Sequence, residues 1–377
     1  MCCKDPDFIP PPPPKQVHKP RCGVRNVDGI GARIAGFKDG QTQFGEWPHM
    51  CAILLDNAAS SNLYVAGGSL IAPGVILTAA HSVNKYQQTA TDLKVRCGEW
   101  DTQQEVEPLR HEDRRGAAVK IHPEFNSRNL ANDYALIFLE QDFVLNYHID
   151  TVCLPQPYQT FEGAHCFATG WGRDKFGVEG EYQVVLKEVD LSPVNSNTCQ
   201  NRLRTTKLGR RFRLDDSFLC AGGEEGKDTC RGDGGSPLVC PRPGQPDTYD
   251  QVGIVAWGIG CGEDGIPGVY ADVSKAVCWI DQTTTCYKGA TTGDYNAYFG
   301  NGFDSCGSWV EERLADLDNR IANTRSQGRK DGYAALKAAY DDYTSCAVNW
   351  EGGEGGYEEE FNLAEFARTA EKKDTTS

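Results

Sequence analysis

The sequence of 377 residues lacks features that would define several classes of protein. It has no apolar run near the roughly 18 residues of a spanning helix, which excludes a membrane span. It also lacks a basic excess, because 38 Lys and Arg face 53 Asp and Glu for a net charge of −15. Since basic surfaces bind nucleic-acid phosphates, this balance argues against a nucleic-acid partner.

The 16 cysteines include no C-x-x-C pair, so disulfide bonds are favoured well above a zinc cluster. Disulfides imply an oxidising compartment, and the sequence therefore predicts a secreted, extracellular protein. The N-terminus nevertheless lacks the apolar region of a signal peptide. Five prolines, Pro10–Pro14, indicate an extended linker, and Cys2 and Cys3 lie upstream of it. We therefore expect residues 1–21 to be a linker with the remnant of a truncated cysteine-rich module.

Residues 22–286 and 287–377 differ in hydrophobic pattern and in charge. The first part has short apolar stretches separated by Gly, Pro, Asn and Asp, which is typical of an all-β sandwich or barrel. The second part holds 17 acidic and 10 basic residues, a net charge of −7. Its apolar residues recur at helical spacing in two stretches, with a break near Gly328. This pattern predicts an appended helical hairpin, stapled by a disulfide between Cys306 and Cys346, and then an acidic disordered tail.

Three segments carry the residue types of nucleophilic catalysis. His81 ends an apolar strand, Asp133 precedes another, and residues 230–238 form a glycine-rich loop. The order His, Asp, then Gly-Asp-X-Gly resembles the trypsin/chymotrypsin family of serine proteases over residues 22–286. Further matching segments are Arg33–Gly36, Gly67–Leu70, Cys153–Pro155, Thr169–Gly172, Trp257–Gly258 and Pro267–Tyr270. The resemblance implies an all-β fold of two six-stranded antiparallel barrels with a C-terminal helix.

The match fails at the nucleophile. His81 and Asp133 correspond to the family's base and orienting carboxylate, but Gly234 stands where the family has serine. Ser236 is two residues further on, a shift of roughly 6 Å, about twice the reach that proton transfer to histidine allows. We therefore expect a pseudo-protease without meaningful peptidase activity.

The resemblance assigns further roles. Asp228, Gly258 and Gly268 match a primary specificity pocket for Lys or Arg, and the N–H groups of Gly232 and Gly234 match the oxyanion hole. Arg33-Ile34 resembles the activation cleavage site, where the new Ile34 ammonium would pair with Asp233. No cofactor is implied, although an equivalent loop binds calcium in some relatives. That loop's candidate ligands are Glu99, Glu105 and Glu107.

Disulfide pairings also follow from the resemblance. The pairs that match the family are Cys22–Cys153, Cys166–Cys240, Cys199–Cys220 and Cys230–Cys261. The bond that braces the family's histidine loop has lost both partners, to Ala66 and Ser82. In this fold Cys51 and Cys97 lie on neighbouring strands, so we expect a replacement bond. Cys278 and Cys286 are left without an assigned partner.

One subgroup resembles the chain most. The segments Cys22–Asn26, Gly45–Pro48, Gly98–Thr102 and Gly232–Pro237 are similar to arthropod clip-domain serine protease homologues of the masquerade-like and prophenoloxidase-activating factor 2 type. That resemblance implies a non-catalytic cofactor in haemolymph that presents prophenoloxidase to an upstream clip-domain protease. Two alternatives stay open: an active trypsin-like endopeptidase cleaving after Arg or Lys, and an adhesive protein that recognises microbial surfaces.

Overall fold

The computed structural model describes residues 18–30, 40–104, 107–173, 180–288, 306 and 309–349, without the side chains of residues 288 and 342–349. The strands in these ranges are β1 Met50–Asn57, β2 Ser60–Ala72, β3 Val75–Thr78, β4 Leu93–Cys97, β5 Glu112–Ile121, β6 Ala135–Leu139, β7 Cys166–Gly170, β8 Lys187–Leu191, β9 Pro193–Val194, β10 Phe218–Ala221, β11 Pro237–Arg242, β12 Gln245–Trp257 and β13 Gly268–Asp272. The α-helices are α1 Ala80–Val83, α2 Ser196–Arg204, α3 Val273–Lys288, α4 Trp309–Asn323 and α5 Gln327–Asn349.

The first six strands close into an antiparallel barrel in the order β1-β2-β3-β6-β5-β4. In β4, alternate residues are buried, because successive side chains of a strand point to opposite faces. Every residue of β6 is buried, since one face of this strand lies in the barrel core and the other lies in the cluster that contains Trp279 of α3. Cys51 of β1 faces Cys97 of β4 in this register, which allows the disulfide between them.

The second sheet has seven strands in the order β8-β7-β11-β12-β13-β10-β9. Its two end strands, β8 and β9, are separated by Ser192 alone, so the sheet must curl round to bring its ends together. The expected six strands become seven because Ser192 interrupts one continuous stretch. The all-β fold of two antiparallel barrels is confirmed.

The disulfides within the barrels include all five expected pairs. They are Cys22–Cys153, Cys51–Cys97, Cys166–Cys240, Cys199–Cys220 and Cys230–Cys261. The sixth expectation is wrong, because Cys306 is bonded to Cys278 rather than to Cys346. The Cα atoms of Cys278 and Cys306 lie 5.2 Å apart, and both side chains are buried in the cluster that contains Trp279 of α3. Cys286 is also disulfide-bonded.

The helical hairpin of α4 and α5 is confirmed, and the break between its helices covers residues 324–326, just before Gly328. The first helix ends at Asn323, and Ser326 caps the second by accepting a hydrogen bond from the N–H of Arg329 on its hydroxyl. A serine N-cap stabilises the start of a helix, and this effect outweighs the tendency of a glycine in the first turn to end one. Consequently, Gly328 lies inside α5.

The hairpin shares its core with the barrels. Trp309 and Tyr340 are buried in the same cluster as Trp279 of α3, and their rings meet edge to face at 5.4 Å. The hydroxyl of Tyr340 donates a 2.8 Å hydrogen bond to Glu124, in the loop before β6. The hairpin is thus anchored by a disulfide, apolar burial and a hydrogen bond at once. No helix in the described ranges has the length and hydrophobicity that a bilayer crossing needs.

Candidate functional site

The pairing of β3 with β6 brings His81 and Asp133 together. Thr78 is paired with Ala135, so the residues just beyond these strand ends converge at one edge of the barrel. The ring nitrogen Nδ1 of His81 lies 2.6 Å from Oδ2 of Asp133, and the His81 backbone N–H donates to Oδ1 at 2.7 Å. Asp133 is fully buried, whereas the His81 side chain is 29% exposed. A buried carboxylate in this position orients the imidazole and leaves its Nε2 facing the cleft.

Gly234 lies directly in front of that nitrogen. A Cβ built on Gly234 would be 3.1 Å from Nε2 of His81 and 3.6 Å from the hydroxyl of Ser82. The structure therefore brings Gly234 to the position from which a side chain would reach the histidine. Gly232 and Gly235 have positive φ values of 105° and 86°, but Gly234 does not. The backbone consequently does not demand glycine at this position.

The hydroxyl of Ser236 points elsewhere. Ser236 is fully buried, and a Cβ on Gly67 or Gly170 would meet its Oγ at 2.0 or 3.3 Å. The Oγ lies beside the hydroxyl of Tyr64, and no hydrogen bond joins it to His81. Ser236 is thus part of the packing between the two barrels. The hydroxyl near Gly234 is that of Ser82, which sequence reasoning treated only as a lost cysteine.

The two N–H groups that match an oxyanion hole lie on either side of Asp233. A Cβ on Gly232 would be 2.6 Å from the ring carbon Cε1 of Tyr182, so this tyrosine covers Gly232. The guanidinium of Arg173 lies 5.1 Å from the same ring. Tyr182 carries no sequence motif that would have marked it.

Asp228 is half-buried beside Gly268, one of the two glycines expected to border its pocket. A Cβ on Gly268 would lie 2.6 Å from Oδ1 of Asp228, so any other residue would block the carboxylate. The Asp228 carboxylate accepts backbone hydrogen bonds from Thr229 and Gly262. Burial, the largest effect, raises the pKa of Asp228 to about 6. Gly258 borders open space, with Gly260 O 3.6 Å from its Cβ position.

Asp233 is buried and uses both carboxylate oxygens. Oδ1 accepts from the N–H of Gly172 at 2.8 Å and Oδ2 from that of Cys230 at 2.9 Å. Burial raises its pKa to about 6 despite these two bonds. Arg33 and Ile34, the expected activation site, lie outside the described residues, so their pairing with Asp233 stays a prediction.

The expected calcium loop is described only in part, since Glu105 lies outside the described residues. Glu99 is buried, and its pKa rises to about 7 because of burial and the neighbouring Glu107 carboxylate. Arg96 at 3.3 Å and His111 at 3.2 Å both contact Oε2 of Glu99. Within the described residues, no three His, Cys, Asp or Glu side chains are grouped as metal ligands. Calcium binding therefore stays a prediction.

Comparison with known proteins agrees with this geometry. The family model described as Trypsin matches residues 38–280, well over half of the sequence. The chain belongs to the trypsin family. Phenoloxidase-activating factor 2 of Galleria mellonella is 53% identical over 283 residues, which cover 73% of this chain and 92% of the relative.

Two mosquito relatives have names that state inactivity. Inactive CLIP domain-containing serine protease A3 of Aedes aegypti is 44% identical over 70% of this chain and 54% of its own length. Inactive CLIP domain-containing serine protease A8 of Anopheles gambiae is 41% identical over 70% of this chain and 71% of its own length. The chain is thus a clip-domain serine protease homologue, and the names of these two mosquito relatives are those of inactive proteases.

Within the trypsin family, this clip-domain homologue departs at the positions nearest the histidine. Gly234 stands at the nucleophile position of the resemblance, and Ala256 stands where the family usually has serine. Ser82 and Ala66 replace the family's usual cysteine pair. The strands β3 and β6 position His81 and Asp133, and the connection between β10 and β11 carries both Asp228 and Gly234. The cleft therefore persists around a missing side chain.

Proposed function

We propose that this chain is a secreted, non-catalytic protease homologue that acts as a binding cofactor in prophenoloxidase activation in haemolymph. In this role it presents prophenoloxidase to an upstream clip-domain serine protease. The observation that carries the proposal is the position of Gly234, whose missing Cβ would lie 3.1 Å from Nε2 of His81. A base with its orienting carboxylate faces a residue that has no nucleophile.

The loss of activity follows from the size of the nucleophile's contribution. In a serine protease, removal of the nucleophile alone lowers turnover by roughly a million-fold. Neighbouring hydroxyls are poor substitutes, because Ser236 is fully buried between the barrels. What survives such a loss is ground-state binding, which needs only the cleft and its pocket.

The pocket supports binding of a basic side chain. Asp228 offers a half-buried carboxylate, and Gly258 and Gly268 leave the space above it open. A guanidinium or ammonium that enters would form a charge-assisted bond in a site of low dielectric. A partner loop carrying Lys or Arg would consequently be held without being cut. The name phenoloxidase-activating factor 2, borne by the relative from Galleria mellonella, supports the proposed pathway.

The two alternatives are less well supported. An active trypsin-like endopeptidase is favoured by Asp228 and by the intact His81–Asp133 pair, but Gly234 opposes it. An adhesive protein that binds microbial surfaces would use the hairpin as its interaction module. The hairpin's apolar residues are packed against the barrel instead, which leaves the cleft as the stronger candidate.

A reconstitution assay tests the proposal. Purified prophenoloxidase and its activating protease are mixed with and without the full chain, and phenoloxidase activity is measured. We expect activity to rise severalfold with the chain, and Asp228→Asn to remove most of that rise. Asp264→Asn, at an exposed carboxylate, is the matched control and should leave it unchanged. Equal phenoloxidase activity with and without the chain would contradict the cofactor role.

A further inference from the structure

A basic segment stands out in this acidic protein. Residues 201–216 contain six Arg and Lys and two Asp, a net charge of +4, in a chain whose total is −15. The basic residues are Arg202, Arg204, Lys207, Arg210, Arg211 and Arg213. We call residues 202–213 the basic loop. No part of the protease-like chemistry described above uses it.

The basic loop is held in one conformation by internal contacts. It begins in the last turn of α2, which the Cys199–Cys220 disulfide fastens to β10. The guanidinium of Arg204 donates a 2.8 Å hydrogen bond to the carbonyl of Phe212, closing the loop. The N–H of Leu214 donates to the side chain of Gln200 at 3.0 Å. Because the loop is preorganised, a ligand would pay little ordering entropy on binding it.

The loop's charges point to solvent while its apolar residues point inward. Leu208, Phe212 and Leu214 pack against the barrel, whereas Lys207, Arg210, Arg211 and Arg213 are exposed. Within the described part of the chain, none of these four exposed side chains forms a salt bridge. The neighbouring carboxylates are those of Asp215 and Asp216, and the Asp215 carboxylate already accepts the N–H of Ser217.

The basic loop borders the cleft. The ring of Phe212 meets that of Trp257 edge to face at 6.1 Å, and Trp257 immediately precedes the pocket residue Gly258. On the other flank, Arg202 Nη1 lies 3.1 Å from the Cβ position of Gly223. Gly223 in turn accepts the N–H of Gly265, close to Gly268 in the chain. Phe212 and Arg202 therefore lie beside the segments that carry Gly258 and Gly268, and the exposed Arg211 and Arg213 flank Phe212 in the chain.

We propose that the basic loop docks an acidic polypeptide stretch of the same partner whose Lys or Arg enters the pocket at Asp228. This inference rests on the proposed binding function and specifies the chemistry of the partner's segment. The positively charged basic loop adjoins the segments that border the negatively charged Asp228. A partner segment with acidic residues on one side of a basic residue could therefore bind to both. Arginine suits the acidic part because its planar fork binds carboxylates bidentately.

The Phe212–Trp257 contact favours a polypeptide over a polysaccharide. It joins the basic loop to the wall of a peptide-binding cleft rather than to a separate face of the molecule. An extended chain lying in that cleft would pass the loop on its way to the pocket. A free polyanion would gain nothing from the adjoining Asp228, whose charge repels it.

Fluorescence anisotropy with labelled synthetic peptides tests the inference on the full chain. One peptide carries a run of aspartates next to a single arginine. A second replaces the aspartates by asparagines, and a third replaces the arginine by alanine. The loop variant is Arg210→Ser, Arg211→Ser and Arg213→Ser together. The matched control, Arg325→Ser, Arg329→Ser and Lys330→Ser, removes three positive charges from the distant hairpin. Unchanged thermal stability establishes that both variants are folded.

We expect the aspartate peptide to bind at least ~10-fold more tightly than the asparagine peptide. The loop variant should lose this advantage and much of the salt dependence, and the hairpin control should keep both. Equal binding of the two peptides, or equal losses in the two variants, would overturn the docking role. So would binding of heparin, but not of the aspartate peptide, at the loop. If replacing the aspartates weakens peptide binding but replacing the arginine does not, the basic loop is a docking surface and the role of the Asp228 pocket in the proposed function is wrong.

Discussion

The Cβ position of Gly234 lies 3.1 Å from Nε2 of His81, although the backbone at Gly234 would accept a side chain. This separation is tighter than most Cβ contacts, and a shift of a few tenths of an ångström in the imidazole would relieve it. The His81–Asp133 hydrogen bond of 2.6 Å keeps the imidazole oriented in the absence of a nucleophile. The site therefore keeps the arrangement of a catalytic triad and lacks only the side chain of the nucleophile at position 234.

Restoring a serine side chain at position 234 should restore peptide hydrolysis. We expect Gly234→Ser to raise hydrolysis of an arginyl peptide substrate, after limited proteolysis, by at least ~1000-fold. Gly234→Ala is the matched control, because it adds the Cβ without the hydroxyl and should stay inactive. Release of a chromogenic leaving group provides the rate. If the unaltered protein cleaves at a rate near that of Gly234→Ser, the pseudo-protease reading is wrong.

Labelling with a serine-directed phosphonate separates the neighbouring hydroxyls. We expect the probe to label Gly234→Ser and to leave the unaltered chain unlabelled. Ser82 is the relevant second candidate, because its hydroxyl lies 3.6 Å from the Cβ position of Gly234. Labelling of the unaltered chain that disappears in Ser82→Ala would show that a substitute nucleophile exists.

Binding at Asp228 should depend on pH. Its pKa is raised to about 6 by burial, so the carboxylate is ionised above that pH and neutral below it. A cation such as p-aminobenzamidine should therefore bind tightly near pH 8. Its affinity should fall about tenfold for each pH unit below 6. Fluorescence of the bound probe measures this, and Asp228→Asn should bind weakly throughout. Constant affinity between pH 5 and pH 8 would contradict the assignment.

The Cys278–Cys306 disulfide should stabilise the hairpin's attachment. Replacing both cysteines by serine should lower the free energy of unfolding by about 2–4 kcal/mol. Mass spectrometry of unreduced peptides gives the direct check, since a Cys278–Cys306 linked peptide is expected. Tyr340→Phe, which removes the hydrogen bond to Glu124, should cost a smaller amount, about 1 kcal/mol. A linked Cys306–Cys346 peptide would contradict the structure.

Asp281 should make the protein less stable at neutral pH. It is 6% exposed, its Oδ1 has no hydrogen-bond partner among the described residues, and burial raises its pKa to about 6. Because the folded pKa exceeds the ordinary value of 3.8, the folded state binds this proton more tightly. Stability should consequently fall as pH rises from about 4 to 6.

The matching variant is Asp281→Asn. We expect it to raise the free energy of unfolding at pH 8 by about 1–3 kcal/mol and to change little at pH 4. Denaturant titrations at the two pH values provide the measurement, with exposed Asp264→Asn as control. A loss of stability at pH 8 would mean that the Asp281 carboxylate is stabilised by contacts beyond the described residues.

Much of the site was predictable because each of its parts is local in sequence. His81, Asp133 and the loop around Gly234 were recognised by their short motifs, and strand pairing then brings them together. Cys51 and Cys97 were paired correctly because neighbouring strands have a fixed register. Tyr182 and Ser82 could not be found in this way, because their closeness to Gly232 and Gly234 is a contact between segments distant in the chain.

The sequence by itself determined the fold class, the absence of a serine at position 234, and the presence of two amphipathic helices after α3. The residue at position 234 is read directly from the sequence. The fold class and the helices depend on the spacing of apolar residues along the chain, which hydrophobic periodicity shows. Only the tertiary structure decided that Cys306 bonds to Cys278, that Ser236 is sealed between the barrels, and that the basic loop adjoins Trp257. Those facts depend on which surfaces pack together, and this packing is determined by contacts between side chains that are far apart in the sequence.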